Sequence, residues 1–240
     1  MNLPLFKTLL FASTLFAASS ITQAFNSKDI PSYTLRYAVT YKGNSIGELG
    51  ISLQKSKHKT GQNVIVRGET FPNALANLFG DGKVIETIEY IELNDKLVLK
   101  RVTEKKGKKN PAIKKLNVDH QQQKIVTHTD QFAISKHEQI DAYTFPLLSI
   151  LGLNDSSQGS EEKLVSATKV RHYTYHPETK ETITTGAGTF KTFKKSRTRK
   201  GDTKVVTIWL TESEPRMPVK IETERKGKKQ ATIELIKIQK

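Results

Sequence analysis

The chain has 240 residues, with 39 Lys and Arg against 24 Asp and Glu for a formal charge of +15; 36% is hydrophobic, 8% is aromatic, and there is no cysteine. Disulfides, thiolate zinc sites, cysteine nucleophiles and an acylated lipoprotein cysteine are therefore excluded. The apolar fraction is well above that of a disordered chain, and the length suits one or two domains of ~100–200 residues each.

The first segment reads as an address. Lys7 precedes an apolar run from Thr8 to Ala18 that contains Leu9, Leu10, Phe11, Leu15 and Phe16, and Thr22-Gln23-Ala24 puts small residues at the two positions a signal peptidase reads. The run is shorter than the ~20 residues that span a bilayer, and no later stretch approaches that length, so no transmembrane anchor is expected. Residues 1–24 are predicted to be a cleaved secretory signal peptide and 25–240 a single β-rich domain in the periplasm. Cleavage after Ala24 leaves 216 residues and a charge of +14, because Lys7 is the only charge removed. In that compartment the available polyanions are lipid headgroups, lipopolysaccharide phosphates and envelope polymers. Nucleic acid is not expected there, and no RNA-binding aromatic motif accompanies the charge.

Period-2 alternation dominates the rest. Tyr33, Leu35, Tyr37, Val39 and Tyr41 fall on one face and Thr34, Arg36, Ala38 and Thr40 on the other, and Leu49, Ile51 and Leu53 repeat the pattern after Gly47. Similar segments near 62–70, 83–93, 97–105, 112–118, 123–128, 164–175, 180–185, 189–198, 203–211, 217–225 and 231–239 bring the expected total to thirteen strands. Two stretches break the alternation, Pro72 to Phe79 before Gly80 and Phe145 to Leu151 before Gly152. A leading proline and a trailing glycine predict short helices there. A sheet of this size curls, so the fold class is all-β and mainly antiparallel, a curved meander or incomplete β-barrel. The two helices would be its lid or plug, with Leu75, Leu78, Phe79, Leu147, Leu148 and Leu151 facing the interior. Tyr37, Leu49, Ile51, Val66, Ile88, Leu210, Ile221 and Leu235 are expected to point inward.

An internal echo suggests two pseudo-repeated halves, about 33–118 and 164–239. At an offset of 120 residues, Thr87-Ile88 matches Thr207-Ile208, Thr103-Glu104 matches Thr223-Glu224, and Lys106-Gly107-Lys108-Lys109 matches Lys226-Gly227-Lys228-Lys229. Chance recurrence in a lysine-rich chain is the alternative explanation. The segment from Asn154 to Gly159 is the expected loop between the halves.

Four anchors resemble a known family: Tyr37-x-Val39-x-Tyr41-Lys-Gly43-Asn-Ser-Ile46-Gly47-Glu, Asp141 to Leu151, Gly186-Ala-Gly188-Thr-Phe190, and Trp209 to Ile221. Their order and spacing resemble the bacterial exported family catalogued as domain of unknown function 3108. The resemblance implies no established activity and supplies no catalytic residues. The closing Trp-to-Pro-Val segment is also similar to strand patterns in periplasmic lipoprotein carriers, which have an open barrel and a helical lid, at the level of fold only.

Chemistry is sparse. Gly43-Asn44-Ser45-Ile46-Gly47 matches the nucleophile-elbow pattern, but the elbow needs a helix after it and a strand follows here, so Gly43-Asn44 reads as a hairpin turn. His172 and His176 are four apart, about 13 Å along a strand, and cannot share a metal. Tyr173 and Tyr175 between them would face inward. Glu161-Glu162 reads as charged loop. No catalytic, metal or cofactor site is expected, and the chain is read as a non-enzyme. Basic clusters remain, at Lys55 to Lys59, Lys105 to Lys109, Lys191 to Lys200 and Arg225 to Lys229. From these, Lys105, Lys106, Lys108, Lys109, Lys194, Lys195, Arg197, Arg199, Lys226, Lys228 and Lys229 are the candidate contacts to an anionic lipid, lipopolysaccharide or envelope polymer. Two readings stay open beside binding of an anionic envelope amphiphile or membrane surface: a structural envelope protein with protein partners, and a serine hydrolase using Ser45.

Overall fold

In the computed structural model, residues 32–58, 61–74, 76, 82–93, 96–107, 112–122, 124–127, 131–133, 161–166, 169–213 and 217–239 are described. They form fifteen strands: β1 (Tyr33–Tyr41), β2 (Asn44–His58), β3 (Gly61–Pro72), β4 (Val84–Leu93), β5 (Lys96–Lys106), β6 (Ala112–Asp119), β7 (Lys124–Thr127), β8 (Gln131–Ala133), β9 (Glu161–Ser166), β10 (Lys169–Tyr175), β11 (Thr179–Thr185), β12 (Gly188–Arg199), β13 (Lys204–Thr211), β14 (Pro218–Arg225) and β15 (Lys228–Gln239). All join one antiparallel sheet in the order β8-β7-β6-β5-β4-β3-β2-β1-β15-β14-β13-β12-β10-β9, with β11 beside β12. The path has two ends, so the sheet is not closed into a barrel.

Alternation sets the buried face. Tyr33, Leu35, Tyr37 and Val39 on β1 are buried, as are Leu49, Ile51 and Leu53 on β2, Ile88 and Tyr90 on β4, and Ala231, Ile233 and Leu235 on β15. All eight positions expected to point inward are buried, with Tyr37, Leu210 and Leu235 at 0% exposure. The buried residues of both halves make one continuous cluster.

Two strand assignments needed correcting. The run 164–175 is not one strand but the hairpin β9–β10, with Lys169 opposite Ser166. Its turn carries neither Gly nor Pro, so nothing in the alternation marks it. That hairpin also places Glu161 and Glu162 in β9, opposite Thr174 and Tyr173, where a loop was expected. The second departure is β8, whose three residues are too few to show a period. Of the expected helix 72–79, Pro72 instead ends β3 and only Ala74 and Ala76 have described helical backbone. The remainder, with Leu75, Leu78 and Phe79, lies outside the described residues. So do the helix at 146–151, with Leu147, Leu148 and Leu151, and the loop at 154–159.

The echo maps onto two three-strand meanders, β4-β5-β6 and β13-β14-β15, of the same order and direction. Their registers differ. Ile88 pairs with Val102, but Ile208 pairs with Ile221, so the identity-based alignment is one residue out in the second strand. The turns differ as well, since Lys106 faces Ala112 whereas Arg225 faces Lys228.

Bulges interrupt the registers, and a bulged strand bends locally. On β15, Ile236 is the extra residue between Leu235 opposite Tyr37 and Lys237 opposite Arg36. There the β11–β12 turn folds over β15: Ala187 N–H donates to Leu235 O at 3.2 Å, and a side chain on Gly186 would meet Ile236 at 3.1 Å. Tyr37 reaches past β15 to donate its hydroxyl to Pro218 O at 2.9 Å. A second bulge, with Ile46 of β2 as the extra residue opposite Val39 and Thr40, lies beside Gly47, whose φ is 136°. A Cβ on Gly47 would sit 2.2 Å from Phe71 O.

Two glycines therefore give opposite outcomes. Gly47→Ala forces β2 from β3 and is expected to cost at least about 2 kcal/mol. Gly68 has no positive φ and nothing within 4 Å of its would-be Cβ. Gly68→Ala is expected to add about 0.4–1 kcal/mol by restricting the unfolded chain. Urea midpoints of the two variants check the pair.

Candidate anion-binding rim and interior charges

Antiparallel pairing decides where the turns emerge. The β1–β2, β3–β4, β5–β6, β9–β10, β12–β13 and β14–β15 connections leave at one rim, and β2–β3, β4–β5, β11–β12 and β13–β14 at the other. The first rim is basic. Lys42, Lys105, Lys200, Arg225, Lys226, Lys228 and Lys229 on it are exposed. Of the cluster Lys55 to Lys59, the part up to His58 ends β2 at the opposite rim, and Lys59 lies outside the described residues. Neighbouring turns interlock, because Lys42 N–H donates to Gln230 O at 2.7 Å.

Two of these turns share a conformation. Tyr41 pairs with Asn44 around Lys42-Gly43, and Arg225 pairs with Lys228 around Lys226-Gly227. Both central residues have positive φ, 47° and 83° in the first and 52° and 68° in the second. This is the type I′ hairpin turn, whose first position favours Asn, Asp or Gly. Lysine fills it both times. Two carboxylates meet these turns: Glu222 accepts from Lys229 at 2.7 Å, and Asp202 sits beside Arg199 and 3.5 Å from Arg225. Partial burial works to raise the pKa of Asp202, but the two guanidiniums and the backbone N–H groups of Thr203 and Lys204 bring it below the usual carboxylate value.

The candidate contacts separate into groups. Lys105, Lys106, Lys226, Lys228 and Lys229 stand at the basic rim, as does Arg199, tied to Asp202. Lys108 and Lys109 lie outside the described residues. Lys194 lies on the other face of the sheet, 5.3 Å from the Trp209 ring, with Lys220 at 4.9 Å from the same ring. The Trp209 indole N–H donates to Glu181. Lys195 and Arg197 correct the expectation of surface contacts: they are 6% and 0% exposed. On β12 they oppose Ile208 and Val206, which puts them in phase with the buried face. Lys195 pairs with Glu178 at 2.8 Å, and Arg197 stacks 4.0 Å from the Tyr173 ring centre. Tyr173 and Tyr175 are buried, as the alternation predicts.

Glu86 is an interior charge that the composition did not single out. It follows Val84 and precedes Ile88 and Tyr90 on the buried face of β4, 7% exposed. The available signal was its phase, an acid at an inward position. Gly68 faces it on β3 and Glu104 on β5. Burial, and secondarily the Glu104 charge, push the Glu86 carboxyl up to about 8.

Ser45 is exposed in β2, opposite Thr40, and its carbonyl accepts from the Asn73 side chain at 2.8 Å. It lies inside a hairpin strand rather than on a strand-to-helix turn, and the turn centre is Lys42-Gly43, one residue before the expected Gly43-Asn44. His176 bonds Thr198 Oγ1 at 2.7 Å and His120 bonds Leu99 O at 2.7 Å. Among the described residues no three His, Asp or Glu side chains group to hold a metal.

The Glu86 pKa fixes a sign. Between the ordinary value near 4.5 and about 8, the unfolded chain is ionised at this position while the folded chain keeps its proton. Stability therefore falls as pH rises through that window, by about 1.4 kcal/mol per unit, and levels off above it. Glu86→Gln is expected to flatten this slope in urea unfolding between pH 5 and pH 8.

No curated protein matches the chain. Two solved structures resemble it distantly. One is a Bacteroides fragilis protein inferred to be exported and described as having a YmcC-like fold, with 10% identity, 87% of this chain and 95% of that chain covered, and a TM-score of 0.36. The other is an inferred lipoprotein of Parabacteroides distasonis, with 11% identity, 92% and 100% coverage, and a TM-score of 0.37. At these scores neither bears on function. The family profile described as "Protein of unknown function (DUF3108)" matches residues 36–234, nearly all of the strand-forming chain, and the protein belongs to that family.

Proposed function

We propose that this is a non-enzymatic exported protein of the periplasm that docks on an anionic envelope surface through its basic rim and binds an anionic amphiphile there. The observation that carries the reading is the gathering of the Lys-Gly turns at one end of the sheet. An isolated lysine-bearing turn, such as the one that follows β2 at the other end, is ordinary protection against edge pairing. Here Lys42, Lys105, Lys226, Lys228 and Lys229 share a rim, and each Lys near an anionic membrane is worth ~1 kcal/mol.

The two type I′ turns support the same reading. An L-residue in left-handed backbone costs about 1–2 kcal/mol, less for Asn. Lysine at both Lys42 and Lys226 gives up local stability for positive charge at the tip. Strain of this kind concentrates where a protein meets its ligands. Export rests on the order of charge, apolar run and small-residue site in residues 1–24. A serine hydrolase using Ser45 is disfavoured by the position of that residue within a hairpin strand.

Flotation with vesicles tests the rim. The protein should associate with vesicles containing phosphatidylglycerol and not with pure phosphatidylcholine. Association should weaken between 0.15 M and 1 M salt, as the screening length shortens from ~8 Å to ~3 Å. The variant K105Q/K106Q/K226Q/K228Q should lose at least about tenfold in affinity. Binding that ignores headgroup charge and salt would refute the docking reading. The double variant Lys42→Asn, Lys226→Asn should be more stable by about 1 kcal/mol yet bind these vesicles more weakly, which separates the cost of the turns from their use.

A further inference from the structure

The apolar lining of the sheet is interrupted on β12. Lys195, Arg197 and Arg199 occupy alternate positions, hence one face. Exposure falls from the rim inward: the Arg199 side chain is 34% exposed, while Arg197 and Lys195 are 0% and 6%. Carboxylates stand at the two ends of this row, Glu178 on Lys195 and Asp202 on Arg199. At its middle Arg197 stacks on Tyr173. Stacking engages the face of a guanidinium, whereas oxyanions are read by its N–H edge.

A second observation is independent of the cations. Tyr173 is 3% exposed, and its buried hydroxyl has no hydrogen-bond partner among the described residues. Leaving such a group unsatisfied costs stability, and unsatisfied groups in native structures call for an explanation. A bound oxyanion provides one, since it accepts from a phenol as it does from a guanidinium.

We propose that Arg197 and the Tyr173 hydroxyl form an interior phosphate-binding site, reached from the basic rim past Arg199. The ligand chemistry is a phosphate oxyanion. On the docking reading above, its source is the headgroup of the amphiphile taken up at the rim. No covalent chemistry is involved.

The test uses the purified protein and three soluble probes in calorimetry: dihexanoyl phosphatidic acid, dihexanoylglycerol, which lacks the phosphate, and inorganic phosphate. Phosphatidic acid should bind and dihexanoylglycerol should not. Tyr173→Phe removes one oxygen and keeps the ring under Arg197. It should raise the melting temperature of the ligand-free protein while weakening phosphatidic acid about tenfold. Arg197→Lys keeps the charge but loses the fork, and should weaken it by at least as much. Inorganic phosphate binding as tightly as the lipid, with the same response to both variants, would support the site and assign it to free phosphate. Equal binding of the two dihexanoyl lipids, or unchanged affinity in both variants, would overturn it. Failure of the rim reading would appear as vesicle association that ignores headgroup charge and salt, and failure of the interior site as binding of the soluble probes that ignores the phosphate or both variants.

Discussion

The fold depends on one pairing, that of the first strand with the last. β1 lies between β2 and β15, and its register with β15 runs from Thr34 opposite Gln239 to Tyr41 opposite Ala231. Without it the chain would be two separate meanders, each with one apolar face and nothing to continue it. With it, Leu35, Tyr37 and Val39 pass the buried face from one half to the other. Tyr37 shows what this demands. Its ring is fully buried, its hydroxyl reaches the backbone of β14, and burial raises its pKa well above that of a free phenol.

Parity does the rest. In an uninterrupted antiparallel meander every second connection emerges at the same end, so a sequence can sort its turns into two populations simply by their order. This chain places its Lys-Gly turns in one population. The same parity acts along each strand: an inward position two residues from a hydrophobic one is inward whatever its chemistry. Glu86, Lys195 and Arg197 are held in the interior by their neighbours' burial, not by their own preference, and each meets a different resolution. Glu86 keeps its proton, Lys195 takes Glu178, and Arg197 lies against an aromatic ring.

Much of this was legible in the sequence because a half-buried strand writes its period directly into the residue order. The eight inward residues, the Tyr173 and Tyr175 face and the strand after Ser45 all follow from alternation. Features that break the period without a marker were not legible. The turn between Ser166 and Lys169 has no Gly or Pro, and the bulges at Lys100, Val219 and Ile236 each shift the phase by one residue without a compositional cue. The echo at an offset of 120 was misled in this way, because similar residues stand on opposite faces once a bulge intervenes. The interior charges were missed for a related reason. A run of Lys and Arg reads as surface by composition, and only its phase relative to Phe193 on β12 shows that two of them are inside.

The central position of β1 also sets an order of assembly. The strand is made early and its second neighbour is the last twelve residues of the sheet, β15. Until that segment arrives, the exposed edge is not at the margin of the sheet but in its middle, a row of unpaired N–H and C=O groups flanked by the core tyrosines Tyr33 and Tyr37. Contacts that span nearly the whole chain are slow to form, and open strand edges recruit other chains while they wait. The C-terminal strand therefore acts as a keystone: loss of its twelve residues would open the sheet at its centre, whereas loss of β8 would trim only a margin.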